Sequence, residues 1–116
     1  MSDLVIYHNP RCGKSRGALA LLREQGCEPD VVEYLKQALD AALLKDLLAR
    51  LGMPASELVR RGESVFKEKY RGREMSEDDW IAAMVADPIL IERPIVVRGA
   101  RAVVARPPER VGELFD

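Results

Sequence analysis

Cysteine is scarce in this 116-residue chain: Cys12 and Cys27 are the only two. Two cysteines do not make the dense disulfide framework of a small secreted domain, so a reducing cytoplasm is the expected setting. Histidine is scarcer, with His8 alone. One His and two Cys cannot close a tetrahedral structural zinc site, so no metal is expected. No apolar run approaches the ~18 residues that span a bilayer, which argues against a membrane segment. Asp3 and the lack of a basic opening stretch argue against a secretory leader. A dominant charge is also missing. The 18 Lys and Arg are balanced by 19 Asp and Glu, a formal net charge of −1, so no basic field points to nucleic acid. Repeats, low-complexity tracts and linkers are absent as well. The expectation is one soluble domain over 1–116, with a core of its own.

What is present is one unusual stretch near the start, His8-Asn9-Pro10-Arg11-Cys12-Gly13-Lys14-Ser15-Arg16. The apolar run Leu4-Val5-Ile6-Tyr7 before it reads as a buried strand. Ala18, Leu19, Leu21 and Leu22 after it have helical spacing, and Gly26 suits a left-handed helix end. Val31 to Leu35 is β-branched and aromatic and reads as a second strand. Strand, helix and strand in so short a span make a βαβ unit with a parallel pair.

The middle is helical. Leu39, Leu43, Leu44, Leu47, Leu48 and Leu51 share one face between Asp40 and Gly52. Pro54 to Val59 reads as a short helix. Glu63 to Arg73 has no clear pattern. Ser76 with Asp79 forms a capping pair before a helix that carries Trp80, Ile81, Met84 and Val85 and stops at Asp87-Pro88. Ile95 to Arg98, Gly99-Ala100 and Arg101 to Ala105 read as a hairpin, and Pro108 to Leu114 as a last helix. The expected fold class is α/β, a mixed four-stranded sheet with helices and a helical lobe inserted at about 38–87.

Cys12 sits where a strand gives way to a helix, among polar residues rather than apolar ones. Unpaired backbone N–H groups and the positive end of the helix dipole favour the thiolate there, and the thiolate is the nucleophile. Arg11, Lys14 and Arg16 add local positive charge. Ser15 can donate to the thiolate or cap the helix. His8 is either a hydrogen-bonded loop residue or an imidazolium that keeps Cys12 ionised. Asn9 and Gly13 shape the loop. Ser15 also occupies the place of the second thiol in a Cys-x-x-Cys pair, so any thiol-bound intermediate needs an outside thiol such as glutathione. Cys27 lies at the far end of the first helix, roughly 20 Å away at ~1.5 Å per residue, beyond disulfide reach. Arg60, Arg93 and Arg106 each sit at the end of an element, where guanidiniums could hold a tetrahedral oxyanion in two-pronged fashion.

His8-Asn9-Pro10-x-Cys12-Gly13-x-Ser15-Arg16, Leu58-Val59-Arg60, Ile89-Leu90-Ile91-x-Arg93-Pro94-Ile95-Val96-Val97 and Arg106-Pro107, in that order, resemble the glutaredoxin-coupled arsenate reductases. The resemblance implies a thioredoxin-like fold with Pro94 as a cis-proline facing the cysteine loop. It implies arsenate as substrate, held by Arg60, Arg93 and Arg106 and attacked by Cys12, with His8 assisting ionisation. Glutathione would be co-substrate and glutaredoxin partner, with no tightly bound cofactor and a monomeric chain. Lys14 and the second arginine at Arg61 depart from the pattern; the substrate role at 60 could fall to Arg61. The same thiol chemistry could serve another substrate. A regulator of the Spx type, which binds RNA polymerase, also resembles the Arg93-Pro94 region. Such regulators carry Cys-x-x-Cys, and Ser15 argues against that reading.

Overall fold

A computed structural model describes residues 3–37 and 39–115. The chain forms two compact units. One takes the described residues through Gln37 and from Arg93 onward, and the other takes those between.

The first unit is built on β1 (Leu4–Tyr7), α1 (Gly13–Glu24), β2 (Asp30–Val32), β3 (Ile95–Arg98), β4 (Arg101–Val104) and a closing 3-10 helix, Pro108–Phe115. The sheet order is β2-β1-β3-β4. β1 runs parallel to β2 and antiparallel to β3, and β3 pairs antiparallel with β4. This is the expected α/β, thioredoxin-like arrangement with a mixed sheet. β1 is apolar throughout and lies inside the sheet, with a strand on each side. Leu4 and Ile6 share one face with Val96 and Val103, and that face meets Ala18 and Leu22 of α1 and Val111 and Leu114 of the 3-10 helix. Gly17 allows this approach. A Cβ there would sit 3.2 Å from Pro108 Cγ.

Two expectations need correcting. β2 ends at Val32 rather than Leu35. Its partner runs out: the His8 amide gives the last bond, to the Val32 carbonyl at 2.8 Å, and Lys36 and Gln37 then fold back onto the Glu33 carbonyl. The final segment is a 3-10 helix, not an α-helix. Pro107 and Pro108 lack amide donors and Gly112 favours no helix. Arg98 takes the Leu114 carbonyl at 2.9 Å and Arg101 takes that of Glu113, so these acceptors turn to the hairpin.

The second unit holds α2 (Ala41–Leu51), α3 (Ala55–Leu58), α4 (Ser64–Lys69), α5 (Glu77–Ala86) and a 3-10 turn, Pro88–Leu90. Glu63 to Arg73, without a clear sequence pattern, thus contains a short helix. Asp40 caps α2 by accepting from the Leu43 amide, and Gly52 ends it in the left-handed region at φ 69°. Ser76 and Asp79 form the expected capping box at α5. Leu44, Leu47, Leu48, Ala55, Leu58, Ile81 and Met84 are buried where α2 and α3 pack on α5. The unit runs on to Glu92 because the Arg60 amide donates to Leu90 and the Glu92 amide to Leu58, pairing the two segments.

Leu22 is fully buried, so Leu22→Ala is expected to cost about 2–5 kcal/mol through lost burial and a cavity. Leu35 is 43% exposed, and Leu35→Ala should stay within about 0.5 kcal/mol. Urea unfolding midpoints at constant m check both, and a near-neutral Leu22→Ala would mean α1 does not close this core.

Candidate active site

The register of the sheet assembles the site before any side chain is considered. Tyr7 ends β1 opposite Ile95, the first residue of β3, and Ile95 faces Val104, the last of β4. The loop after Tyr7, the Arg93-Pro94 pair before Ile95 and Arg106 after β4 therefore meet at one end of the sheet. It is the carboxyl end of the parallel pair, where α/β proteins commonly place ligands. The Arg93-Pro94 bond is cis, as the resemblance implies, and so is Arg106-Pro107.

The loop is held by its own hydrogen bonds. Asn9 Oδ1 accepts from the Arg11 amide and the Asn9 carbonyl from the Cys12 amide, both at 3.0 Å. The Asn9 amide donates to Ser15 Oγ at 3.0 Å, and Ser15 Oγ lies 2.6 Å from His8 Nδ1. His8, Asn9 and Ser15 are the buried polar residues among those described. A buried polar cluster is tolerated only when its members are satisfied, and it then fixes one conformation.

Cys12 stands at the N-cap of α1 with extended backbone. No side-chain hydrogen bond of ordinary geometry caps the helix there. The sulfur is nonetheless within the influence of the Ser15 and Lys14 amides and of the Arg93 guanidinium. Partial burial raises the Cys12 pKa, and those donors outweigh it, Ser15's amide most and then Arg93, leaving the thiol below its ordinary value. The thiolate is thus favoured, as expected from the helix start.

Two expectations about its neighbours are revised. Ser15 neither caps the helix nor serves the thiolate with its hydroxyl. The side chain is fully buried and turned to His8 and Asn9, while its backbone amide serves Cys12. His8 does not fit the role of an imidazolium beside the thiolate. Burial lowers its pKa, against a raising influence from Glu33, which favours the neutral ring. A neutral ring with its proton on Nε2 leaves Nδ1 to accept the Ser15 hydroxyl. His8 is therefore a hydrogen-bonded loop residue, the other alternative.

The arginines divide. Arg93 acts on Cys12 directly. Arg106 Nη1 donates to the Arg93 carbonyl at 3.2 Å, tying the end of β4 to the segment that presents Arg93. Arg60 belongs to the second unit, where Nε lies 3.5 Å from Glu63. Arg61 is engaged otherwise: its guanidinium stands 5.4 Å from the Phe66 ring and 5.2 Å from Trp80, and donates to the Ser56 carbonyl. Gly13 is not required by its backbone, since a Cβ would meet only Arg16 Nη2 at 3.7 Å. Lys14 contributes its amide to Cys12 and is exposed. Cys27 is a free, half-buried cysteine packed against the core beneath α1. Among the described residues no group of His, Cys, Asp and Glu could hold a metal ion, and no helix is long and apolar enough to cross a membrane.

Sequence inspection overlooked Glu33, whose charge reaches His8. The signal was in the βαβ pattern. Parallel pairing places the residues after β2 beside those after β1.

The arrangement is of the kind that suits nucleophilic chemistry on an anion: a thiol of lowered pKa, backbone donors and a guanidinium meet at one loop. Comparison with known proteins identifies the relatives of the chain. The ArsC family matches residues 7–114. An Escherichia coli (strain K12) protein, YfgD, named as uncharacterized, is 53% identical over 111 residues, covering 94% of this chain and 93% of its own. An arsenate reductase of Neisseria meningitidis (serogroup B) is 39% identical over 113 residues, covering 96% of this chain and 97% of that one. The solved structure of an arsenate reductase from Vibrio cholerae superposes with a TM-score of 0.91 at 46% identity, covering 95% of each chain.

Alkylation by iodoacetamide should show Cys12 ionising below the ordinary value of a thiol. In Arg93→Gln the midpoint should move to higher pH, because a cation that favours the thiolate is gone. An unmoved midpoint would remove Arg93 from the site. The imidazole of His8, followed by NMR, should titrate below ~6.5 and carry its neutral-state proton on Nε2.

Proposed function

This chain belongs to the ArsC family, and on that premise we propose that it reduces arsenate to arsenite through the Cys12 thiolate, with glutathione and glutaredoxin as reductants. The observation that carries the proposal is Cys12 at the start of α1, where the Ser15 amide, Arg93 and the Lys14 amide lower its pKa and favour the thiolate. Arsenate is a tetrahedral oxyanion, and the same donors that favour a thiolate favour its charge.

The Cys12 sulfur attacks arsenic and an arsenate oxygen leaves as water, which gives a Cys12 thioester of arsenic(V). A glutathione thiol displaces a second oxygen as water. The glutaredoxin thiol then attacks the glutathione sulfur. A glutathione–glutaredoxin disulfide forms, the S–As bond breaks, and its electron pair stays on arsenic, now arsenic(III). Water releases arsenite and returns the Cys12 thiol. Two thiols are oxidised for one two-electron reduction. Arg93 offsets charge on the oxyanion and on sulfur, and Arg106 positions Arg93 through its carbonyl. His8, Asn9 and Ser15 act by holding the loop, and Pro94 opens the strand beside it. Arg60 is the further arginine assigned to substrate.

Purified protein with arsenate, glutathione and glutaredoxin should form arsenite, and Cys12→Ser should abolish it. Arg93→Ala should lower kcat/KM about 100-fold, the scale of losing one charge-stabilising donor. Arg60→Ala should raise KM for arsenate, whereas Arg61→Ala should act on stability through Phe66 and Trp80. Arsenite formation that survives Cys12→Ser, or none in the wild type, would sink the proposal.

A further inference from the structure

Beside the cysteine loop lies a second feature that the steps above leave unused. A cavity of about 260 Å³ is lined by His8, Asn9, Pro10, Arg11, Glu33, Leu35 and Lys36. One wall is the loop that carries Cys12, with Arg11 its immediate neighbour. The other wall is the turn after β2, where Lys36 and Gln37 fold back onto the Glu33 carbonyl.

Its chemistry is mixed and specific. Leu35 is 43% exposed and Val31, on the adjoining edge strand, 38%; they are the large hydrophobics found exposed among the described residues. Two cations, Arg11 and Lys36, and one carboxylate, Glu33, surround the apolar floor of Leu35 and Pro10. Glu33 and Lys36 lie 3.5 Å apart with side-chain exposures of 40% and 81%. Such an exposed pair is worth little in water, so each can take a partner of its own.

We propose that this cavity is the seat of the thiol reductant: a short peptide with two carboxylates, one ammonium and a thiol, the class of glutathione. Arg11 and Lys36 would each take a carboxylate and Glu33 the ammonium, leaving the thiol to turn toward Cys12. The cavity's charges sum to one positive, and such a peptide carries one net negative charge at neutral pH with its thiol protonated. A free amino acid has one carboxylate and leaves one cation unmatched. The inference rests on the proposed reaction for its use of a reductant, but binding can be tested without that reaction.

The test is calorimetric titration of full-length Cys12→Ser protein with S-methylglutathione, whose capped thiol cannot exchange. Saturable binding is expected, about tenfold weaker in Lys36→Glu. Lys45→Glu, a charge reversal in the second unit, should match the parent. S-methylcysteine should bind at least tenfold more weakly than S-methylglutathione. No binding, equal binding by Lys36→Glu, or equal binding of the two ligands would overturn the assignment. The outcomes separate from the arsenate assay. Binding without arsenate reduction leaves the cavity standing and removes the substrate, and arsenate reduction without binding does the reverse.

Discussion

Ser15 Oγ is shut away from water, 2.6 Å from His8 Nδ1 and 3.0 Å from the Asn9 amide. Leaving a buried hydroxyl or imidazole unpaired costs on the order of 1–3 kcal/mol, so the three groups constrain one another strongly. The constraint spans the junction of strand and helix. His8 follows β1 directly, and its amide is held by β2. Ser15 lies in the first turn of α1. Tying them together sets the angle at which α1 leaves the loop, and with it the direction of the Lys14 and Ser15 amides. Cys12 owes its low pKa to those amides and to Arg93, against the opposing effect of its own burial. The buried network thus acts on the thiol through backbone, without touching it.

The sheet supplies the other half. β1 is central and parallel to its neighbour β2, so its carboxyl end must open into a crossover rather than a tight hairpin. The loop that begins the crossover has a fixed neighbour, because β3 runs antiparallel to β1 and starts where β1 stops. Arg93 is thereby presented to the loop by pairing register alone. Arg106 follows for the same reason one strand further out, and its bond to the Arg93 carbonyl joins the two strand ends. A one-residue slip of β3 would move Arg93 and also turn Val96 away from the core shared with Ile6 and Val103. Packing of the apolar face therefore enforces the geometry of the polar end.

How far this was legible in the sequence depends on the range of the interaction. Periodicity and local turn chemistry located α2 with its Asp40 cap, the Ser76–Asp79 box of α5 and the β3–β4 hairpin, since each is decided within a few residues. β2 and the last segment depart from their local patterns because tertiary partners decide them: β2 stops where β1 has no more backbone to offer, and Arg98 and Arg101 draw off carbonyls of the last helix. Cys12 was legible from its place at a helix start. The work of Ser15 was not. A serine three residues after an N-cap looks like a partner for the thiol, and only the fold shows its hydroxyl turned inward and its amide turned out. His8 was ambiguous for a related reason. Its charge depends on burial and on Glu33, and sequence gives neither directly.

The burial of Ser15 also bears on the outside thiol that the proposed reaction uses. A second cysteine at that position would not repair the lack of a resolving partner, because the side chain there points to His8 and Asn9 inside the protein. Its sulfur would meet an imidazole rather than an intermediate on Cys12. Cys27 is no substitute, being packed against the core at the other end of α1. The architecture that lowers the Cys12 pKa thus spends the first turn of the helix on holding the loop, and in the proposed reaction leaves no side chain there to resolve an intermediate on Cys12. In the proposed reaction the reducing power comes from an outside thiol. On one flank the sheet end is occupied by Arg93, which serves the oxyanion in the proposed reaction, and by Arg106, which holds the Arg93 carbonyl. On the other lies the hollow between the loop and the turn after β2, with two cations, a carboxylate and an exposed leucine. An anionic substrate and a zwitterionic reductant differ in the charge pattern they require, and the two flanks of the cysteine loop differ in the same way.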